Sequence, residues 1–324
     1  MFKEDSMNKA ATPARRRTSA AVRLSKARRF FPLYLMLLPG VVYLFINNYL
    51  PLGGLTLAFR KFKYAKGIWG SPWNGVSNFV FLFRTNDAWI LFRNTIGYNL
   101  LFILLGTVFA IFIAVLLNEI HSSKLKQFSQ TIILIPYLLS YVIISYIVYA
   151  FLGQSNGMIN NSILRVFGRD AVSWYTEPKY WPFILTLVHI WKSFGYNSII
   201  YYATIVGFDK TYYEAAVVDG AGVWTKIARI TLPMLKPTII TLTLMSIGRM
   251  FYSDFGLFFQ VPMNSGMLQK VTSTIDTYVY RGLLETNDVG RASAAGFLQS
   301  ILGFLTVLAA NMIVRRIEPE NSLF

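Results

Sequence analysis

The sequence predicts an all-α membrane protein with six transmembrane helices, and three observations predict it. Of its 324 residues 54% are hydrophobic and only 14% charged, with a mean hydropathy of +0.45; soluble domains carry about 25% charged residues. Six stretches, near 32–58, 92–118, 129–152, 181–206, 236–259 and 292–314, are apolar over the roughly 20 residues that a helix needs to cross hydrocarbon. Lys and Arg flank these stretches instead of forming a separate basic domain. The net charge of +16 therefore reads as membrane topology, not as a nucleic-acid surface.

Residues 1–30 form a polar, basic N-terminal tail with Arg15, Arg16, Arg17, Arg23, Lys26, Arg28 and Arg29, ahead of a transmembrane domain over 31–324. Such a tail is either unfolded or, around Val22 and Leu24, a basic helix lying on anionic lipid. A cleaved signal peptide fits less well, because the following apolar stretch is long and has no small-residue cleavage site. The first span holds Pro39 and Pro51, so a kink or break is expected there. Six spans place both termini on one side, and the basic tail marks that side as the cytoplasmic one. The loops on that side carry more Lys and Arg than the opposite ones, although Arg60, Lys61, Lys63 and Lys66 narrow the difference. This topology requires the 207–235 loop to face the cytoplasm.

That loop reads Glu214-Ala215-Ala216, then Asp219-Gly220-Ala221, and later Ile230 and Leu232-Pro233. Thr211 can cap a short helix whose first turn carries Glu214. The alanines keep one face thin enough for a close protein contact. Asp219-Gly220 is a stop, since glycine takes positive φ freely. A second short helix over 223–230 is expected to end before Pro233. A lone Glu-Ala-Ala is most simply an interfacial connector; here the pattern extends over the whole loop.

In that extent it resembles the coupling loop of binding-protein-dependent ABC importers: E-A-A, three residues, G, nine residues, then a hydrophobic residue, L and P. Leu38-Pro39-Gly40, Tyr49-Leu50-Pro51, Leu57-Ala58-Phe59 and Gly67 to Trp73 are similar to the oligosaccharide and polysaccharide branch of these permeases. The similarity runs over nearly the whole chain from about residue 30. The resemblance implies a type I importer architecture in which two homologous permeases form the path and two P-loop ATPases dock beneath. It implies a periplasmic solute-binding protein that delivers an oligosaccharide, acidic uronate oligomers of the alginate type in particular. Glu214 would meet a basic residue in an ATPase groove, with Ala215, Ala216 and Gly220 allowing close packing. ATP and magnesium would belong to the partner ATPases, with no cofactor in this chain.

The residues themselves argue against an engine or an enzyme. A P-loop needs G-x-x-x-x-G-K-[ST] to cradle phosphates, but Gly220 to Lys226 has Thr225 in place of the second glycine. Neither H-E-x-x-H nor G-x-S-x-G occurs. There is no cysteine, and the two histidines, His121 and His189, lie far apart, so neither a catalytic nor a metal site is expected. Glu285 and Asp288 read as solvated loop carboxylates.

Ionisable groups inside spans suggest function by default. In the fourth span His189, Lys192 and Tyr196 share one helical face, with Asn197 beside it. In the fifth, Arg249 and Ser253 fall at i, i+4, with Tyr252 and Asp254 adjacent. One reading is an internal ion pair of Asp254 with Lys192 or Arg249 that fixes helix packing. The other is a substrate pathway of Lys192, Tyr196, Asn197, Arg249, Tyr252 and Asp254. Two cations against one acid would favour a carboxylate-bearing sugar, and Trp191, Tyr196 and Tyr252 offer flat faces to it. A neutral oligosaccharide remains an alternative, as does an ion-driven carrier, although no internal repeat of the kind such carriers show is visible.

Overall fold

The computed structural model describes residues 19–317 and 319; the first part of the basic tail, through residue 18, lies outside the described residues. The chain divides into two compact units, residues 1–54 and 55–324. In the first, helix α1 (Ser19–Leu44) begins within the expected tail and runs through Pro32 and Pro39. The expected interruption appears after the prolines as a change of helix type: a π-turn over Phe45–Tyr49, then a 3-10 segment from Leu50. The Asn47 and Asn48 amides donate to the carbonyls of Tyr43 and Leu44 one turn back, so these polar groups are satisfied within their own helix. Phe31, Leu35, Met36 and Tyr43 are exposed along α1, as suits side chains that meet lipid.

The second unit holds α2 (Ser77–Arg84), α3 (Asn86–Glu119), α4 (Ser123–Leu138), α5 (Tyr141–Leu152) and α6 (Trp181–Val206). It continues with α7 (Thr211–Val218), α8 (Val223–Gly248), α9 (Ile275–Leu284) and α10 (Val289–Ile317). No sheet forms among the described residues, only an isolated bridge between Arg60 and Trp73. Among the described residues four helical stretches, Phe30–Phe59, Asn86–Glu119, Val223–Gly248 and Val289–Arg316, are long and apolar enough to cross a membrane. A fifth appears if α4 and α5, bent by 94° at their junction, are one broken span. The expected 181–206 span coincides with the 26-residue helix α6, which carries His189, Lys192, Ser193 and Asn197 and is not among the stretches apolar enough to cross a membrane. The expected 236–259 span is shifted: its helix starts in the loop at Val223 and ends at Gly248.

Lipid tails are as apolar as leucine, so helices associate through close packing and polar links more than through burial. Small residues at the contacts follow from that. Ala110 and Ala114 of α3 are fully buried against Tyr201, Ile205 and Leu235. A second cluster joins Tyr98 and Phe102 of α3 to Leu185 and Val188 of α6 and to Phe258. Gly195 of α6 touches α4 backbone to backbone, for a Cβ there would fall 1.8 Å from the Ile133 carbonyl oxygen.

On the side opposite the 207–235 loop, short turns are fastened to helix ends by buried amides and hydroxyls. Asn94 Nδ2 donates to the Ser273 carbonyl at 2.9 Å, and Tyr98 Oη to the Val271 carbonyl at 2.9 Å. The Ile275 N–H donates to Thr95 Oγ1 at 3.1 Å. Asn160 does the same for the loop after α5: its amide donates to the Val172 carbonyl while its oxygen accepts from Trp174 Nε1.

Gly195→Ala should therefore push α4 and α6 apart and destabilise the bundle by about 1–3 kcal/mol. Gly40→Ala, with nothing within 4 Å of its added carbon, should be neutral. Heating detergent-solubilised protein and measuring the monodisperse fraction checks both.

Candidate functional site

The cytoplasm-facing elbow of the sequence reading folds as two helical pieces. Asp209 accepts from the Thr211 N–H at 3.0 Å, so Asp209 and not Thr211 caps α7. That hydrogen bond holds the exposed Asp209 carboxyl below its ordinary range. Glu214 lies in the first turn, where the helix dipole favours an acid. At the other end Gly220 has φ +75°. The Gly220 N–H donates to the Val217 carbonyl and the Ala221 N–H to the Ala216 carbonyl, the paired bonds that close a helix through a left-handed residue.

The second piece differs from expectation. It does not stop at 230 but continues through Ile230, Leu232 and Pro233 into α8. Proline lacks the N–H for an i−4 bond, and its ring crowds the carbonyl four residues back. A π-turn over Ile227–Thr231, in which the Leu232 N–H reaches the Ile227 carbonyl, absorbs that misfit just ahead of the ring. The Tyr213 and Thr231 hydroxyls lie 3.0 Å apart and tie α7 to the root of α8. Glu214, Ala215, Asp219 and Gly220 face solvent, Ala216 and Ala221 are half-buried, and Val218 and Trp224 are 87% and 80% exposed. An apolar, thin-walled knuckle is thus presented outward.

The far end of α8 borders a cavity of about 490 Å³, lined by Asn99, His189, Asn197, Arg249, Tyr252 and Asp254 among others. Arg249 and Ser253 both reach it, but not by sharing a helical face, since the helix ends at Gly248 and 249–254 is irregular backbone. Irregular backbone that is partly buried needs hydrogen-bond partners in place of helical ones. Asp276 provides them: its carboxylate accepts from the Ser253 N–H at 2.6 Å and from Gln299 Nε2 at 3.0 Å. The Gln299 amide also donates to the Phe251 carbonyl at 2.8 Å. Asp254 accepts from the Gly256 and Leu257 N–H groups and so starts the next helical turn.

Two buried polar atoms in the cavity wall, His189 Nδ1 and Ser253 Oγ, have no hydrogen-bond partner among the described residues. His189 is held flat against Phe102, with ring centroids 3.8 Å apart and planes 8° from parallel.

The sequence grouping of Lys192 and Tyr196 with this cavity does not match their placement. Tyr196 stacks on Tyr137 of α4 at 4.6 Å. Lys192 Nζ donates to the carbonyls of Pro136, Tyr137 and Leu139, where α4 gives way to α5. No carboxylate lies within 4.0 Å of Lys192 or Arg249 among the described residues, so the proposed internal ion pair is not formed there. Sequence reasoning also missed Asp276 and Gln299. A lone glutamine inside the apolar sixth span was a usable signal for the second; an aspartate between the fifth and sixth expected spans gave none.

A further cavity of about 600 Å³ opens opposite the elbow, bordered by Asp87, Lys270, Tyr278, Arg281 and Asp288 among others. Burial pushes the Tyr278 hydroxyl up to about 12. Burial also lowers Arg281, with Glu285 opposing, and its guanidinium is fixed by Asn264 Oδ1 and Ser273 Oγ. Glu285 accepts from Asn264 and Asp288 pairs with Arg291 at 3.2 Å, which are structural contacts.

An apolar helical bundle, a helix that ends at a polar cavity and an exposed elbow are the features of a multi-span membrane permease. Residues 106–319 match the family model of binding-protein-dependent transport system inner membrane components, and the chain belongs to that family. It is 32% identical over 289 residues to the polygalacturonan/rhamnogalacturonan transport system permease protein YteP of Bacillus subtilis, covering 89% of each chain. It superimposes with a TM-score of 0.83 and 33% identity on a bacterial ABC transporter involved in import of the acidic polysaccharide alginate, covering 92% of this chain and 99% of the other. The same transporter type, in complex with an alginate pentasaccharide-bound periplasmic protein, matches with a TM-score of 0.81 and 33% identity over 90% of this chain and 97% of that one. The chain is a sugar ABC-transporter permease subunit and not an enzyme.

Asp276→Ala leaves the Ser253 N–H and the Gln299 amide each short of a partner, at a cost of about 1–3 kcal/mol. Combined with Gln299→Ala, which loses the same carboxylate contact, the loss should fall short of the sum. A double-mutant cycle on thermal stability in detergent measures both.

Proposed function

We propose that this chain forms one half of the translocation path for acidic oligosaccharides, uronate oligomers of the alginate or polygalacturonan type. The observation that carries this reading is the cavity at the end of α8, with Arg249 at its wall and, among the described residues, no carboxylate within 4.0 Å of that guanidinium. Arginine grips carboxylates in bidentate fashion, which a neutral sugar cannot use. Asn99, Asn197 and Tyr252, with the unpartnered His189 Nδ1 and Ser253 Oγ, offer hydroxyl partners. The named substrates of the relatives, polygalacturonan and rhamnogalacturonan for one and alginate for another, support the acidic class. Without Lys192 in the cavity, the excess positive charge rests on Arg249 against an Asp254 that is engaged with backbone N–H groups.

The elbow is the docking point for an ATPase. Glu214, Ala215, Ala216 and Gly220 form the contact, and the exposed Val218 and Trp224 fill apolar space in the groove. A second homologous permease completes the path, two P-loop ATPases bind ATP and magnesium, and a periplasmic binding protein delivers the sugar to the outer face. Both termini lie in the cytoplasm, and the chain is held in lipid of the bacterial inner membrane. ATP-driven closure of the ATPases then rocks the spans as rigid bodies.

In proteoliposomes holding the whole transporter, Arg249→Ala should lower uptake of uronate oligomers about tenfold or more, the worth of one charged hydrogen bond. Neutral-oligosaccharide uptake and basal ATP hydrolysis should change little. Unchanged uronate uptake removes Arg249 from the site. Paired Glu214→Ala and Gly220→Val substitutions should abolish co-purification with the ATPase while leaving the cavity untouched.

A further inference from the structure

The placement of Lys192 carries an inference of its own. Together α4 and α5 are apolar enough for a single span, yet they meet at 94°. A helix end leaves its last carbonyls without partners, and hydrocarbon offers no water to supply them. The ammonium on α6 answers that need, sharing the Pro136 carbonyl with the Leu139 N–H. Lys192 Nζ donates to Tyr137 O at 2.8 Å, to Leu139 O at 2.5 Å and to Pro136 O at 3.4 Å, three acceptors for three protons. It sits over the Tyr141 and Tyr137 rings at 5.0 and 5.6 Å, where the ring faces attract a cation. The negative end of the α4 dipole adds to the attraction. Ser140 completes the corner by accepting the Ile143 N–H that opens α5.

The corner also touches the second break in the bundle. Tyr141, the first residue of α5, lies beside the Asp254 carboxylate. Its ring packs on Gly256 so closely that a Cβ there would lie 2.5 Å from it. Asp254 lines the transport cavity and caps the turn that follows the broken end of α8. One chain of contacts therefore runs from α6 through the α4–α5 corner to the cavity wall.

We propose that Lys192 is a positioning residue: its ammonium pins the α4–α5 corner, and through Tyr141 it sets Asp254 and the 253–256 segment against the cavity. The sugar does not touch it. A single point charge with three donors fits three converging carbonyls, whereas the planar fork of arginine does so only in part. The corner geometry stands apart from the reading of the cavity as the sugar path; only the uptake arm of the test rests on that reading.

The test uses the whole reconstituted transporter. The chain has no cysteine, so spin labels can be placed at two exposed positions, Leu138→Cys beside the α4–α5 corner and Met263→Cys beyond the 253–256 segment. The wild type should give one narrow distance distribution. Lys192→Met should broaden or shift it, and Lys192→Arg should restore part of it. In uptake, Lys192→Met should raise the KM for the sugar several-fold with basal ATP hydrolysis preserved, which a general loss of folded protein would not produce. Tyr141→Phe keeps the ring over the ammonium and removes only the hydroxyl beside Asp254. It should raise KM and leave the distance unchanged, and it serves if Lys192→Met fails to assemble. An unaltered distance distribution in Lys192→Met overturns the pin, and an unaltered KM in Tyr141→Phe overturns the link to the cavity. If Arg249→Ala also leaves uptake intact while the distances shift as stated, the sugar-path reading fails and the pin stands.

Discussion

Every peptide group at membrane depth must find its partner inside the protein. In continuous helices the requirement is met automatically. It becomes demanding wherever a helix is interrupted, as it is between α4 and α5 and after Gly248. At each break a side chain from another helix takes the place of water. Lys192 supplies donors to three carbonyls, while Asp276 and Gln299 accept from and donate to the 251–253 backbone. These few contacts explain why polar and charged residues are tolerated in helices otherwise built from Leu, Ile, Val and Phe.

The same breaks create the cavity. An unbroken helix presents side chains only, whereas irregular backbone turns several polar groups toward one space. Arg249, Tyr252, Ser253 and Asp254 reach the cavity from such a stretch, opposite Asn99 on α3 and His189 and Asn197 on α6. The helix that ends there, α8, begins at the elbow. Its 26 residues span about 39 Å at 1.5 Å per residue, so a single helical rod joins the exposed knuckle to the polar pocket. The π-turn at Ile227–Thr231 lets that rod pass Pro233 without a break. In the proposed mechanism, motion imposed at the elbow arrives at the cavity through this rod.

Much of this was legible in the sequence, and the unread part has a common cause. Span existence and the elbow follow from local patterns: hydropathy over about 20 residues, and a Gly220 whose positive φ is tied to its own turn. Glu214 was placed correctly in the first turn, but the capping role assigned to Thr211 belongs to Asp209, two residues earlier. Pro233 misled because a proline signals an ending, and the π-turn that evades it leaves no sequence mark. Lys192 and Tyr196 were grouped with Arg249 because helical periodicity tells which residues share a face and not what that face meets; theirs meets α4. Asp276 and Gln299 act across long sequence separations on a backbone break whose position was not foreseen.

The central claim is that the elbow receives force on the cytoplasmic side and that α8 carries it into the membrane. Because the natural chain lacks cysteine, a single cysteine at Val218, 87% exposed, reports the side directly. A membrane-impermeant maleimide should fail to label Val218→Cys in intact spheroplasts and should label it in inside-out vesicles, with protection when the ATPase is bound. Labelling from the outer face of intact cells contradicts the account.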